Sequence, residues 1–200
     1  MSELIASGIN NLGDFIENTL NKYPDNLAFS CQGHSLSFFE VDSRSRALAC
    51  WLQQESGLKA GDRIVIQLPN ITQYPIAAYA ALRAGLVLVN TNPLYTPKEM
   101  RHQFKDSGAK AIITLQDLLP KLEEVKADTD IETVIFCNPG DLTSHDKQEV
   151  AGCISLNQAM AKGANLTLNK RENINLDDTC VLQYTGGTTG VSKGAELTHR

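Results

Sequence analysis

Short apolar segments alternate with amphipathic ones along most of this chain, and that alternation restricts the fold more than any other feature of the sequence. The apolar segments have the length and composition of buried strands and lie at residues 63–68, 86–89, 110–114 and 133–137. Between them lie segments with helical periodicity, at residues 73–84, 97–107 and around 118–125. Strands and helices that alternate at this spacing form parallel sheets. The sequence therefore predicts an α/β fold, a largely parallel sheet with helices on both faces.

Capping residues indicate where several of the predicted helices begin and end. Residues 96–99, Thr-Pro-Lys-Glu, have the pattern of a capping box with proline in the first turn. The helix that they start is expected to end at Gly108, since glycine is common just past helix ends. Near the start of the chain, Asn10 or Asn11 is expected to cap a helix over residues 12–22.

A hairpin and a long helix are expected between that first helix and the sheet. Residues 27–31 and 36–38 flank a turn at 32–34, which favours two antiparallel strands. A helix over residues 39–56 follows and ends at Gly57. Its predicted inward-facing residues are Val41, Leu48, Trp51 and Leu52.

The stretch from 138 to 178 has the weakest pattern in the chain. It contains a Pro-Gly pair, a polar run and one short helical candidate near residues 156–161. We interpret most of it as an insertion or connection. A further strand is predicted at residues 179–183.

Composition and charge exclude several classes of protein. Of the 200 residues, 42% are hydrophobic and 20% are charged, which is typical of a soluble globular protein. The net charge is −5 and basic residues are scattered, so a nucleic-acid-binding protein is not expected. Five cysteines without C-x-x-C spacing favour a reducing cytoplasm over a disulfide framework or a zinc site. No segment has the roughly 20 apolar residues of a membrane-spanning helix.

One segment, residues 184–194, combines side chains that suit a phosphate ligand. Glycines let main-chain N–H groups approach an anion closely, and Thr and Ser hydroxyls donate further hydrogen bonds. Lys193 adds a positive charge against a polyanion. We predict that the segment binds the phosphates of a nucleotide. Its residues are Tyr184, Thr185, Gly186, Gly187, Thr188, Thr189, Gly190, Val191, Ser192, Lys193 and Gly194.

A flexible Gly/Thr turn between two strands is the alternative interpretation of the same segment. The absence of Asn, Asp and Pro, the usual turn residues, argues against it. Two familiar phosphate motifs do not fit either. The P-loop ends in Gly-Lys-Ser/Thr, whereas Lys193 is followed by Gly194, and the glycine spacing does not match G-x-G-x-x-G. The segment is therefore expected to belong neither to a P-loop ATPase nor to a dehydrogenase.

Residues 184–200 resemble the phosphate-loop motif of the adenylate-forming (AMP-forming) enzymes, and most of all that of bacterial long-chain fatty acid–CoA ligases. Residues 36–40, Leu-Ser-Phe-Phe-Glu, and residues 82–96, which contain Arg-Ala-Gly and Asn-Pro-Leu-Tyr-Thr, resemble earlier elements of that superfamily. Two positions depart from its pattern. Ser192 stands where many members have proline, and Glu196 stands where an apolar residue is common, so its side chain is expected to point to solvent.

The resemblance implies a two-step reaction. A fatty acid carboxylate attacks the α-phosphate of ATP and releases pyrophosphate, and the thiol of CoA then attacks the acyl carbon and releases AMP. ATP and CoA are thus the implied substrates and Mg²⁺ the implied metal. By the same resemblance, Thr185 lies near the metal and the phosphates, and Lys193 acts on phosphate charge rather than as a nucleophile. Cytoplasmic location is expected, while peripheral attachment to the inner face of the membrane and homodimer formation stay open.

The resemblance also implies that residues 1–200 are the first subdomain of a large N-terminal adenylation domain. In that family the adenine, ribose, magnesium-carboxylate, fatty acid and CoA sites lie beyond the position of Arg200, so the fragment alone is expected to be inactive. Two alternatives remain open from the sequence. One is another acid–CoA ligase or adenylating enzyme of the same superfamily, and the other is an inactive fragment or non-catalytic binding module.

Several conspicuous residues are interpreted as structural. His102 is expected at a helix surface, and Trp51 and Cys180 in the core. For His199 a structural role at a helix start and a ligand contact are both open. Residues 90–95 are interpreted as a structural turn rather than as the floor of an active site.

Overall fold

A seven-stranded sheet forms the centre of the structure, a computed structural model that describes residues 9–143, 149–171, 174–185 and 192–200. The strands are β1 (Leu27–Cys31), β2 (His34–Ser37), β3 (Arg63–Gln67), β4 (Val87–Asn90), β5 (Ala111–Leu115), β6 (Thr133–Cys137), β7 (Ile154–Ser155), β8 (Thr179–Thr185) and β9 (Lys193–Thr198). The first two form a separate antiparallel hairpin, and the others form one sheet in the order β7-β6-β5-β3-β4-β8-β9. Every neighbouring pair in that sheet is parallel except β8 and β9.

Helices cover both faces of this sheet, as the sequence predicts. They are α1 (Leu12–Lys22), α2 (Phe38–Gln54), α3 (Gln73–Arg83), α4 (Pro97–Ser107), α5 (Leu119–Lys126) and α6 (Leu156–Gly163). Buried residues of α1, α2, α3 and α6 share one apolar cluster with the sheet, whereas those of α4 and α5 belong to a second cluster. Among the described residues, no helix is long and apolar enough to cross a membrane.

The two clusters are separated by the alternation of side chains along each strand. Ile64 and Ile66 of β3 pack in the first cluster, and Val65 between them packs in the second. In β5, Ile113 and Ile112 divide in the same way. Burial on both faces explains why the strands are continuous apolar runs rather than alternating apolar and polar residues.

The helix caps follow the predicted chemistry closely. Asn11, not Asn10, is the N-cap of α1, and its Oδ1 accepts a hydrogen bond from the N–H of Asp14 at 3.0 Å. Thr96 and Glu99 form the full capping box of α4. That helix ends at Gly108, whose φ of 57° lies in the left-handed region.

The hairpin and the long helix are confirmed with shifts of one or two residues at their boundaries: β2 is His34–Ser37 rather than 36–38, and α2 is Phe38–Gln54 rather than 39–56. The second strand ends at Ser37 rather than Phe38, because the Ser37 hydroxyl accepts a hydrogen bond from the N–H of Glu40 and caps α2. The predicted inward-facing residues of α2 are all buried: Val41, Leu48, Trp51 and Leu52.

The 138–178 stretch contributes more to the fold than the sequence indicates. Its short strand β7 extends the sheet beside β6, and α6 packs on α2. A strand of two residues is too short to give a periodic pattern, which explains why only the helix was predictable.

Arg83 links three helices through ion pairs of its buried side chain. Its side chain is fully buried, and Nη2 lies 2.7 Å from Asp42 Oδ1 of α2 while Nε lies 3.1 Å from Glu17 Oε1 of α1. Nη1 also donates to the Ser45 hydroxyl at 2.8 Å. The arginine of the Arg-Ala-Gly element therefore has a structural role.

We expect Arg83→Met to destabilise the protein by about 3 kcal/mol, because its removal leaves carboxylates without their buried partner. The midpoint of thermal unfolding measures this loss. The matched control is Arg101→Met. Arg101 pairs with Asp128 where both side chains are largely exposed, so its loss should cost under about 1 kcal/mol. Equal effects of the two substitutions would contradict the structural role of Arg83.

Candidate functional site

The last two strands bring both ends of the predicted phosphate segment to one edge of the sheet. β8 runs parallel to β4, so Thr185 at its end lies at the carboxyl edge of the parallel strands. β9 returns antiparallel and pairs Lys193 with Thr185. Both residues are exposed. Ligands of open α/β sheets bind outside this edge, so the two side chains are well placed to contact one.

The described residues include only part of the predicted segment. Tyr184, Thr185, Ser192, Lys193 and Gly194 are described. The other predicted phosphate-binding residues lie outside the described residues; they are Gly186, Gly187, Thr188, Thr189, Gly190 and Val191. Phosphate binding by the segment therefore stays a prediction.

Tyr184, the first residue of the segment, is anchored to helix α4. Its ring is buried in the second apolar cluster, and its hydroxyl donates to Asp106 Oδ2 at 2.5 Å. Burial raises the pKa of Tyr184, and the hydrogen bond to Asp106 and the charge of that carboxylate raise it further. The phenol consequently keeps its proton and acts as the donor in this bond.

The glycine at the other end of the segment makes room for that ring. Gly194 is the cross-strand partner of Tyr184. A Cβ atom at Gly194 would lie 3.0 Å from both Cε2 and Cζ of the tyrosine. Any larger residue would therefore displace the ring from its position beside Asp106.

His102 contacts the main chain at the end of the segment. Its Nε2 lies 2.8 Å from the carbonyl oxygen of Ser192. Because a carbonyl oxygen can only accept, Nε2 carries the proton and donates. His102 was expected at the helix surface; its side chain is half-buried there, because it contacts the main chain beside the hairpin β8–β9.

On the opposite face, a chain of side-chain hydrogen bonds holds the end of β8. The Tyr74 hydroxyl donates to Asn90 Oδ1 at 2.6 Å, and Asn90 Nδ2 donates to Gln183 Oε1 at 2.9 Å. Gln103 of α4 donates through Nε2 to the main-chain carbonyl of Asn90 at 2.8 Å. The carboxyl edge between β4 and β8 is thus supported from both faces.

The predicted turn after β4 is present, but its first residue does more than turn the chain. The N–H of Tyr95 donates to the carbonyl of Asn92 at 3.1 Å, which closes the turn. Asn90 belongs to the network at the sheet edge. Asn90 is the last residue of β4, so the turn follows it, and the interpretation of residues 90–95 as a turn rather than an active-site floor stays a prediction.

His199 has a structural role at a helix start, which was one of its two open interpretations. Its Nδ1 accepts a hydrogen bond from the N–H of Leu12, the first residue of α1, at 3.2 Å. Burial lowers the pKa of His199, while Asp178 and Asp14 oppose this shift. A neutral ring suits the accepting role.

Other expectations for this region are confirmed. Glu196 is exposed, and it accepts a hydrogen bond from the Thr179 hydroxyl at 3.1 Å. Cys180 is buried in the first apolar cluster. Thr198 is the last residue of β9.

Within the part of the chain that the structure describes, no group of three or more His, Cys, Asp or Glu side chains is arranged to hold a metal ion. The Thr185 hydroxyl is an oxygen ligand of the kind that Mg²⁺ accepts, and it is exposed at the carboxyl edge.

The two anchoring residues of α4 could not be found from sequence. The contact of His102 reaches a main-chain carbonyl 90 positions away, so no complementary side chain signals it. Asp106 meets Tyr184 across 78 positions. The spacing of four between His102 and Asp106, which places them on one helix face, was the only available signal.

Comparison with known proteins agrees with this architecture. Residues 16–200 match the AMP-binding enzyme family. The chain is 40% identical over 216 aligned positions to a long-chain-fatty-acid–CoA ligase of Salmonella typhimurium, covering 100% of this chain and 38% of that protein. It is 30% identical over 168 positions to 4-coumarate–CoA ligase 3 of rice, Oryza sativa subsp. japonica, covering 84% of this chain and 28% of that protein.

A solved structure shows the same arrangement of elements. The crystal structure of a long-chain-fatty-acid–CoA ligase from Archaeoglobus fulgidus superposes with a TM-score of 0.78 at 27% identity, covering 95% of this chain and 37% of that one. The chain thus covers between 28% and 38% of the length of these relatives. With the family match over residues 16–200 and the parallel sheet that ends in the β8–β9 hairpin, the chain belongs to the AMP-binding, adenylate-forming enzymes.

Proposed function

We propose that this chain is the N-terminal portion of a long-chain fatty acid–CoA ligase and that residues 184–194 bind the phosphates of ATP. In the first step a fatty acid carboxylate oxygen bonds to the α-phosphorus, and the bond from that phosphorus to the bridging oxygen breaks. Pyrophosphate leaves and acyl-adenylate remains. In the second step the sulfur of CoA bonds to the acyl carbon, AMP leaves, and the thiol proton passes to solvent or to a base.

The observation that supports the proposal most is the position of Thr185 and Lys193. They lie opposite each other at the carboxyl edge of the sheet, exposed, at the two ends of a segment rich in glycine and hydroxyl residues. An ammonium group and a hydroxyl at that edge suit negative charge that shifts from the α-phosphate to the leaving pyrophosphate. The 40% identity to a long-chain ligase extends over the whole chain and favours the same chemistry.

Magnesium belongs to the proposal as a companion of the ATP phosphates. Mg²⁺ is usually held by one or two carboxylates together with phosphate oxygens and water. Thr185 is the residue that we propose near it, and its exposed hydroxyl at the end of β8 is compatible with such a contact. When bound, the ion would neutralise phosphate charge.

The remaining substrate sites are proposed to lie outside this chain. The relatives are more than twice as long, and this chain aligns with only 38% of the Salmonella typhimurium ligase. In this proposal, residues 1–200 form the first subdomain of the adenylation domain, and the acid site and the CoA site are completed elsewhere. Peripheral contact with the inner face of the membrane and homodimer formation are further parts of the proposal, to be tested by vesicle sedimentation and by the mass in solution.

The rice 4-coumarate–CoA ligase keeps a second candidate open, a ligase for an aromatic acid. The two are separated by measuring release of AMP and pyrophosphate from ATP and CoA by the complete protein, with palmitate, acetate and 4-coumarate as acids. We expect kcat/KM for palmitate to exceed the other two by about 10-fold or more. Preference for 4-coumarate would favour the second candidate. No release with any acid would exclude a ligase and favour a non-catalytic binding module.

A further inference from the structure

Helix α4 contacts the flanks of the 186–191 segment at both of its ends. Asp106 accepts the hydrogen bond of the Tyr184 hydroxyl, two positions before residue 186. His102 donates to the carbonyl of Ser192, which directly follows residue 191. The two side chains are one helical turn apart and lie on the same face of α4.

The helix that carries these two residues is itself held firmly. Met100 and Phe104 are fully buried in the second apolar cluster, and Gln103 donates to the main chain of Asn90 at the end of β4. A helix anchored in this way can serve as a rigid support for the hairpin. Its contacts are therefore able to fix the separation and orientation of the two flanks.

The β8–β9 hairpin has main-chain pairing of its own beside these two contacts. The ladder between these strands is made by main-chain pairs from Thr179↔Thr198 to Thr185↔Lys193. The Ser192 carbonyl lies just outside this ladder, and the side chain of Tyr184 extends from the hairpin to Asp106. The two hydrogen bonds from α4 orient the hairpin, whose two strands are paired through their main chains.

We propose that His102 and Asp106 are positioning residues, which hold Tyr184 and Ser192 against α4 and thereby fix the neighbouring Thr185 and Lys193 at the carboxyl edge of the sheet, where the phosphates of ATP are proposed to bind. The inference rests on the proposed function for its effect on catalysis. Fixing both residues lowers the conformational entropy that the side chains of Thr185 and Lys193 and their backbone would lose when they bind a ligand.

The test uses the complete ligase with two pairs of variants. His102→Leu and Asp106→Leu remove the donor and the acceptor, whereas His102→Gln and Asp106→Asn retain one. The matched control is Lys105→Met, an exposed residue on the same helix turn. Pyrophosphate release is measured at varied ATP and at varied palmitate. We expect the leucine variants to lower kcat/KM for ATP about 10-fold, with KM for palmitate changed by less than about twofold.

Two further expectations separate positioning from a general structural role. The Gln and Asn variants should recover most of the lost kcat/KM, because an amide can donate to a carbonyl or accept from a phenol. In addition, Tyr184→Phe combined with Asp106→Leu should cost no more than Tyr184→Phe alone, since both remove the same hydrogen bond.

Trypsin cleavage after Lys193 gives a readout that does not need ligase activity. Release of the Ser192 carbonyl and the Tyr184 ring should raise the rate of this cleavage about 5-fold in the leucine variants and leave it unchanged in Lys105→Met. Unaltered cleavage and unaltered kcat/KM for ATP would overturn the inference, and so would an equal loss for ATP and palmitate without rescue. If the wild-type protein releases no pyrophosphate, but cleavage is faster in the leucine variants and unchanged in Lys105→Met, the positioning role stands and the proposed function is excluded.

Discussion

If the complete protein is the proposed ligase, replacing Lys193 by Met in it is expected to lower the rate of acyl-adenylate formation about 100-fold or more. Lys193 is exposed at the start of β9, directly opposite Thr185 and at the end of the proposed phosphate segment. Removing one preorganised donor from a site of developing negative charge typically costs 10²- to 10³-fold in rate. The rate is measured as pyrophosphate released from ATP and palmitate before CoA is added.

The control for Lys193 is Lys98→Met, an exposed lysine near the start of α4 that has no proposed contact with ATP. It should leave the rate unchanged. Lys193→Arg retains the charge and should fall between wild type and Lys193→Met, because the guanidinium has a different shape from an ammonium group. A wild-type rate for Lys193→Met, with unaltered thermal unfolding, would show that this side chain does not act on the phosphates.

Gly163→Ala is expected to destabilise the protein by about 3 kcal/mol, although alanine is the better helix former by about 1 kcal/mol. Gly163 is the last residue of α6, where that helix crosses α2. A Cβ atom there would lie 1.9 Å from the carbonyl oxygen of Ala47 and 3.0 Å from the main-chain nitrogen of Trp51. The obstacle is helix backbone, so the two helices would have to separate. Thermal unfolding measures the loss.

Gly140→Ala is the matched control. No atom lies within 4 Å of the Cβ that it would add, and its φ is not in the left-handed region. We expect its effect on the free energy of unfolding to stay within about 0.5 kcal/mol. If Gly163→Ala were as mild as this control, or stabilising, the close crossing of α2 and α6 would be wrong.

Local signals predicted much of the architecture because they depend on residues close together in sequence. The capping box at Thr96 and Glu99 lies within four positions, and the stop at Gly108 depends on one residue that tolerates a positive φ. The apolar runs of β3 and β5 could be recognised because strands buried on both faces need no polar alternation. The two-residue strand β7 gave no such signal.

The candidate site also has a part that the sequence predicts and a part that it does not. Residue types that suit phosphate are concentrated between 184 and 194, so the segment could be singled out without any structure. The residues of α4 that contact the segment could not be predicted from the sequence. His102 and Asp106 contact it across 90 and 78 positions, and one of those contacts ends on a main-chain carbonyl.

The sequence by itself determined the alternating α/β plan, the ends of most helices and the position of the phosphate-binding candidate, since each follows from chemistry within a few neighbouring residues. Only the tertiary structure decided which residues support that candidate and which glycine cannot be replaced. Tyr184 meets Asp106, and Gly163 meets Ala47, only because the parallel sheet stacks distant helices against it. Contacts of this kind depend on the relative placement of whole elements, which no local pattern encodes.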